Sequence, residues 1–246
     1  KIQTSAVVTE IDYRKGSEFA RVLYTSNGKE KKIRAKKVLV TVSLGVLQKE
    51  MINFKPRLKR KKRNIINRIG MGAGNHMWMF FDEAFWPEDE LNSFFGDGED
   101  RDNFTACYNN LAERGLYNKP GLMVDYRGQD AHDAEQRFRD SGDEDAYKKE
   151  VKELCMEPLR NMFGEDIPDP KYVFASSWMT NPYTHGIFSF NKVKQRKNDK
   201  QKLRAPINKR LYFRGEHTSE AYYGWVHGAY WEGVAVAEKM VGELLE

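Results

Sequence analysis

Leu211-Tyr212-Phe213-Arg214-Gly215-Glu216-His217-Thr218-Ser219-Glu220 runs on through Ala221-Tyr222-Tyr223-Gly224-Trp225-Val226-His227-Gly228-Ala229-Tyr230. Arg210 to Phe213 reads as a short strand, because β-forming residues lead directly into a glycine-studded turn. From about Gly228 to Leu244 the residues Tyr230, Val234, Ala237, Val241 and Leu244 recur at helical spacing on one face. Strand, turn and helix in that order are a piece of an α/β layer. Thr218 or Ser219 also suits an ordinary N-cap, so the Gly-Glu-His-Thr string alone specifies no chemistry.

Working outward, Ala6 to Tyr13 and Phe19 to Thr25 are rich in β-formers, and Ser26-Asn27-Gly28 signals a turn into a further strand near Ile33. Val38 to Val42 is a short apolar run of the kind buried on both faces of a parallel sheet. After Ser43-Leu44-Gly45 a basic helix is expected to run to about Ile69, broken by Gly70, Gly72 and Gly74 before a second apolar run, Met77 to Phe81. An amphipathic helix is expected from Asp143 to Phe163, kinked or interrupted at Pro158 and capped by Gly164, then a strand from Tyr172 to Trp178. The first and last segments are expected to share one sheet, with the middle as a separate lobe. No GxGxxG fingerprint occurs, so the βαβ unit that grips a dinucleotide is missing from this pattern.

The chain has 246 residues, 40% of them hydrophobic, enough for a buried core. No run approaches the roughly 18 apolar residues of a membrane-spanning helix, and Lys1 to Thr9 lacks the apolar block of a signal peptide. Cys107 and Cys155 lie far apart without a CxxC pair or histidine cluster, so no metal site or disulfide framework is expected. The net charge of +5 is concentrated in Lys55 to Arg63, KPRLKRKKR. A solvated helix face, with Ile65, Ile66 and Ile69 buried, is the favoured reading of that run. A phosphate-binding patch or nuclear localisation signal is the alternative; with the solvated face favoured, nucleic acid is not the expected partner, and the absence of aromatics from the run weakens single-strand binding. The acids Asp82, Glu83, Glu88, Asp89, Glu90, Asp97, Glu99, Asp100 and Asp102 read as a solvated loop, or as the approach for a polycation.

The stretch around Gly215-Glu216 and Trp225-Val226-His227-Gly228-Ala229 closely resembles flavin amine oxidases. Other segments match that family in order: Ser43-Leu44-Gly45-Val46-Leu47, Phe54-Lys55-Pro56, Phe85-Trp86-Pro87, Trp178 with Gly186-Ile187-Phe188-Ser189, and Leu203-Arg204-Ala205-Pro206. The wording is most similar to plant-type polyamine oxidases and spans essentially the whole chain. The resemblance implies an α/β (α+β) architecture: an FAD-binding domain, in part, over 1–54 and 193–246, and a mixed-sheet and helix substrate domain over 55–192.

It also implies roles. Gly215 and Glu216 would lie beside a non-covalent FAD, with Glu216 at its ribityl or pyrophosphate region and Val8 facing the adenine end. Val226 would aim its amide at the isoalloxazine edge, where Ala229 and the flanking aromatic Trp178 also belong. Phe188 and Trp225 would wall an aromatic slot for a polyamine such as spermine; plain core aromatics are the alternative. His76 stands where the family carries a lysine that holds a water against the flavin, which leaves its catalytic part open. The implied chemistry is amine oxidation by hydride transfer to the flavin, with oxygen giving hydrogen peroxide. The pyrophosphate grip would come from an absent N-terminal half of the same protein or from another chain, leaving this piece inactive alone. A catalytically silent scaffold subunit, or a relative acting on methylated lysine or free amino acids, is the alternative.

Overall fold

The computed structural model describes residues 1–87, 93–97, 104–112 and 119–245. Strand β1 (Val7–Asp12) leads to β2 (Ala20–Ser26), which turns at Asn27 and Gly28, with φ of 51° and 70°, into β3 (Lys29–Ala35). Positive φ at both turn residues is what an Asn-Gly hairpin requires. Next come β4 (Val38–Val40), α1 (Leu44–Gln48), β5 (Asn53–Lys55), α2 (Arg60–Arg68) and β6 (Gly70–Met71). The middle carries β7 (Asn75–Phe80), β8 (Ser93–Asp97), β9 (Thr105–Asn110), β10 (Gly121–Arg127), α3 (Gln129–Ser141), α4 (Glu144–Phe163) and β11 (Tyr172–Ala175). The chain closes with β12 (Ser189–Phe190), α5 (Asp199–Arg204), β13 (Leu211–Phe213) and α6 (Val226–Leu245).

Two compact units result: Lys1–Gly72 with Pro182–Glu246, and Ala73–Asn181. Residues 55–72 and 182–192, assigned from sequence to a substrate domain, pack within the first unit. That unit has a sheet in the order β3-β2-β1-β5 and a parallel pair, β4 with β13, which joins its first and last segments as expected. Its core gathers Ile11, Leu44, Leu47, Ile65, Ile69, Leu203, Leu211 and Phe213. Each such side chain contributes roughly 1.5–3 kcal/mol by leaving water.

The second unit is an antiparallel sheet in the order β11-β7-β10-β9-β8, with α3 and α4 packed on it. Strand alternation turns Asn75, Met77 and Met79 inward and leaves His76, Trp78 and Phe80 half-buried on the opposite face. Charge divides sharply between the units. Residues 1–72 and 182–246 carry 30 Lys and Arg against 12 Asp and Glu, net +18; residues 73–181 carry 11 against 24, net −13.

Several expectations are corrected. The basic helix covers only Arg60–Arg68, because Phe54 packs on Phe213 as part of β5 and Pro56 blocks helical continuation. Its isoleucines are buried as expected, but so is Lys62, whose ammonium donates to the carbonyls of Lys202, Leu203 and Ala205. Val38 to Val42 forms a strand only to Val40, with Val40 buried but Val38 and Leu39 half-buried, and its single strand neighbour among the described residues is β13. Helix α4 continues through Pro158, whose ring is buried, so the proline costs one intrahelical bond without ending the element. Strand β11 stops at Ala175, and α6 starts earlier than expected, at Val226. On α6 the buried residues are Gly228, Glu232 and Val236, whereas Tyr230, Val241 and Leu244 are exposed. Asp82 and Glu83 are exposed; Glu88, Asp89, Glu90, Glu99, Asp100 and Asp102 lie outside the described residues, as does the side chain of Asp97.

Candidate active site

Strand β13 delivers Gly215 and Glu216 at its end, held in line by the Arg214 amide bonding to the Val40 carbonyl at 3.0 Å. The Glu216 carboxylate then gathers two distant segments of the first unit. One oxygen accepts the Ser189 amide at 3.0 Å; the other accepts the Ser189 hydroxyl and the Gly224 amide, both at 2.6 Å. Phe188 precedes Ser189 and Trp225 follows Gly224, so a single carboxylate fixes the backbone beside both proposed slot walls. Charge-assisted bonds of this length are about twice as strong as neutral ones.

Glycines let these segments approach. Gly224 has φ of 78°, which a side chain disfavours, and its α-carbon faces the Phe188 ring and the Ser189 carbonyl. A Cβ on Gly228 would lie 1.9 Å from the Tyr222 carbonyl oxygen, so only glycine permits the 219–225 loop to fold back on α6. The Trp225 carbonyl accepts the Gly228 and Ala229 amides, and no acidic side chain sits in the first turn. Among the described residues the Val226 and His227 amides meet no acceptor, and they open α6 toward solvent with its positive dipole end. Trp225 is 66% exposed and stacks on His227 with centroids 6.0 Å apart. Val226 and Ala229 are exposed beside it.

Behind this surface, Glu232 of α6 is buried and bridges Arg204 at 3.0 Å and Arg214 at 3.2 Å, and it accepts the Thr218 hydroxyl. The network ties the helix to β13 and to α5. His217 is buried and its Nε2 has no partner among the described residues. Burial pushes its pKa down to about 4, so the ring is neutral at pH 7. The buried Lys200 ammonium lies 3.6 Å from the centre of the Tyr223 ring. Val8 is half-buried on β1 of the same unit, paired opposite Tyr24.

His76 and Trp178 belong to the second unit, where a buried polar cluster fixes them. Asn75 donates to Glu135 at 2.5 Å and accepts the Trp178 amide at 2.8 Å. Glu135 also accepts the amide and hydroxyl of Thr180, both at 2.8 Å. The Ser176 hydroxyl accepts the His76 amide at 2.9 Å, so His76 and the approach to Trp178 are clamped together. Sequence reasoning missed Asn75, Glu135, Ser176 and Thr180. An acid such as Glu135 within the helical run 129–141 reads as solvated until the sheet beneath it is known. Among the described residues no three His, Cys, Asp or Glu side chains gather as a metal site.

Comparison with known proteins gives the family and the fold. The profile of a family described as "Flavin containing amine oxidoreductase" matches residues 1–241. Polyamine oxidase 1 of Zea mays is 32% identical over 242 residues, covering 98% of this chain and 45% of that relative. Lysine-specific histone demethylase 1 homolog 2 of Arabidopsis thaliana is 31% identical over 211 residues, 85% of this chain and 27% of that relative. Among solved structures, wild-type putrescine oxidase bound to putrescine superposes with a TM-score of 0.70 at 17% identity, covering 96% of this chain and 48% of that one, a likeness of fold. The chain thus spans about half the length of the polyamine oxidases it matches. It belongs to the flavin-containing amine oxidoreductase family.

Proposed function

We propose that this chain is the part of an FAD-dependent polyamine oxidase that carries the flavin edge and the substrate slot. The observation that carries the reading is the Glu216 carboxylate bonded at once to Ser189 and Gly224, which holds Phe188 and Trp225 on neighbouring backbone. Bound FAD would accept a hydride from the carbon beside the amine nitrogen, with oxygen as the final acceptor giving hydrogen peroxide. The residues present fit that cofactor: unaccepted amides at Val226 and His227 suit the carbonyls of a flavin edge, and the exposed Trp225 and Ala229 offer apolar surface to a ring system.

In this reading Gly215 and Glu216 line the ribityl side, the latter with lone pairs left beyond its three donors, and Val8 faces the adenine end. Phe188 and Trp225 sandwich the methylenes of the amine and desolvate it, which favours the neutral nitrogen that reacts. Trp178 flanks the flavin, and His76 holds a water through its ring in place of a lysine. Residues 1–54 and 193–246 serve the cofactor and 55–192 the substrate. The net −13 of residues 73–181 supports a cationic substrate, because a field of that sign concentrates polyamines.

A catalytically silent scaffold is the second reading, favoured by His76 at the lysine position. The two are separated by assaying peroxide release from the full-length protein with spermine, spermidine, putrescine and a methylated-lysine peptide. Release with spermine or spermidine supports the first; a flavin-loaded protein that releases none with any of them contradicts it.

A further inference from the structure

The excess positive charge of the first unit is not spread evenly. It gathers on two adjoining concavities that share Lys15. The first lies beside the start of α2 and is lined by Lys15, Arg57, Lys59, Lys61, Lys62 and Lys202, with no carboxylate. The second lies on the β1-β2-β3 meander and adds Arg14, Arg21, Lys32 and Arg34 around one acid, Asp12. That acid is already spent, bonded to Arg14 at 2.6 Å and Arg21 at 2.5 Å. Lys15, Lys32, Lys59, Lys61 and Lys202 are exposed and form no ion pair among the described residues, whereas Arg57 pairs with Glu50 at 2.9 Å. Lys62 sits beneath them, its ammonium held by three carbonyls and by no acid.

Like charges held this close repel one another, a cost that binding a polyanion relieves while releasing condensed counterions. We propose that this face binds the phosphate backbone of double-stranded nucleic acid without reading its sequence. Three observations select that partner. The charge continues from one concavity to the other through Lys15, a track that a chain of phosphates can follow. Both surfaces are hollow, suiting a convex phosphate ridge better than a lipid plane. Neither presents a free aromatic ring for unpaired bases, since Tyr13 is buried and Arg34 covers Phe19 at 4.7 Å. The absence of aromatics from Lys55–Arg63 weakens single-strand binding, whereas a duplex backbone needs no stacking. The proposal is independent of the amine oxidase reading.

The test is fluorescence anisotropy of a labelled duplex DNA with the full-length, cofactor-loaded protein over a salt series. With five phosphates neutralised, the affinity should fall with salt at a log-log slope of about −4 to −5. The double variant Lys15→Glu, Lys61→Glu should bind at least about tenfold more weakly with a slope reduced by about 2, while Lys149→Glu on the acidic unit should bind as the parent does. Amine oxidation should be unchanged in both variants. Absence of duplex binding at low salt, or binding indifferent to the double variant, overturns the proposal. So does tighter binding to phosphatidylserine vesicles, or full displacement of the duplex by an equimolar amount of inorganic tripolyphosphate.

Discussion

The Glu216 carboxylate accepts the Gly224 amide at 2.6 Å, and the same oxygen takes the Ser189 hydroxyl, so the turn into α6 and strand β12 share one anchor. Glu216→Gln would turn an amide hydrogen toward one of these donors and lose the charge. It should lower stability by about 2 kcal/mol, read from urea denaturation, and speed flavin loss on dialysis. An unchanged midpoint with full flavin retention would contradict the anchoring role.

Gly228 touches the Tyr222 carbonyl so closely that no side chain fits. Gly228→Ala must therefore push the 219–225 loop off the helix, and a cost of about 3 kcal/mol or more is expected. Tryptophan fluorescence should shift as Trp225 moves, and a variant matching the parent in both stability and spectrum would rule this packing out.

Glu135 satisfies three donors inside the second unit: Asn75, the Thr180 amide and the Thr180 hydroxyl. Glu135→Ala should destabilise the protein by about 2 kcal/mol, because the Asn75 amide stays buried without its acceptor and the half-buried Thr180 donors lose theirs. The emission of Trp178, whose amide bonds to Asn75, should broaden in the same variant.

His217 gives a pH dependence with a definite sign. Its folded pKa is depressed by burial from an ordinary 6.5 to about 4, so its contribution is complete above the unfolded value and is lost as pH falls from about 6.5 through 4. About 3 kcal/mol of acid sensitivity follows over that window. His217→Asn should flatten the stability profile between those pH values; a profile parallel to the parent's would contradict a buried neutral histidine.

On the proposed reading His76 stands at a position where a lysine would hold the water. If the His76 ring holds the water in this protein as proposed, His76→Lys should raise amine turnover by about tenfold, roughly 1.4 kcal/mol of barrier, with the substrate KM little changed. Lower turnover in the lysine variant would place the water elsewhere.

The strands around Ser26-Asn27-Gly28 were legible because Asn-Gly meets a conformational demand that few other pairs meet. The Gly215-Glu216 turn and the start of α6 were legible through motif wording, within two residues. What escaped depended on partners distant in sequence. Strand β5 exists because β1 offers an edge in parallel register at Glu10–Asp12, which local propensity in a basic run does not encode. Glu135 and Lys62 look solvated in sequence and are buried because Asn75 and the carbonyls of 202–205 await them. The α6 stripe misled in the other direction: Tyr230, Val241 and Leu244 have the spacing of a core face and stand exposed.

The most direct measurement of the central claim is anaerobic addition of spermine to the full-length protein while its flavin absorbance is followed. Flavin bands should bleach with spermine and return on admission of oxygen with release of peroxide. Bands that persist unchanged with spermine and the other amines, or a properly folded full-length protein that carries no flavin, would contradict it.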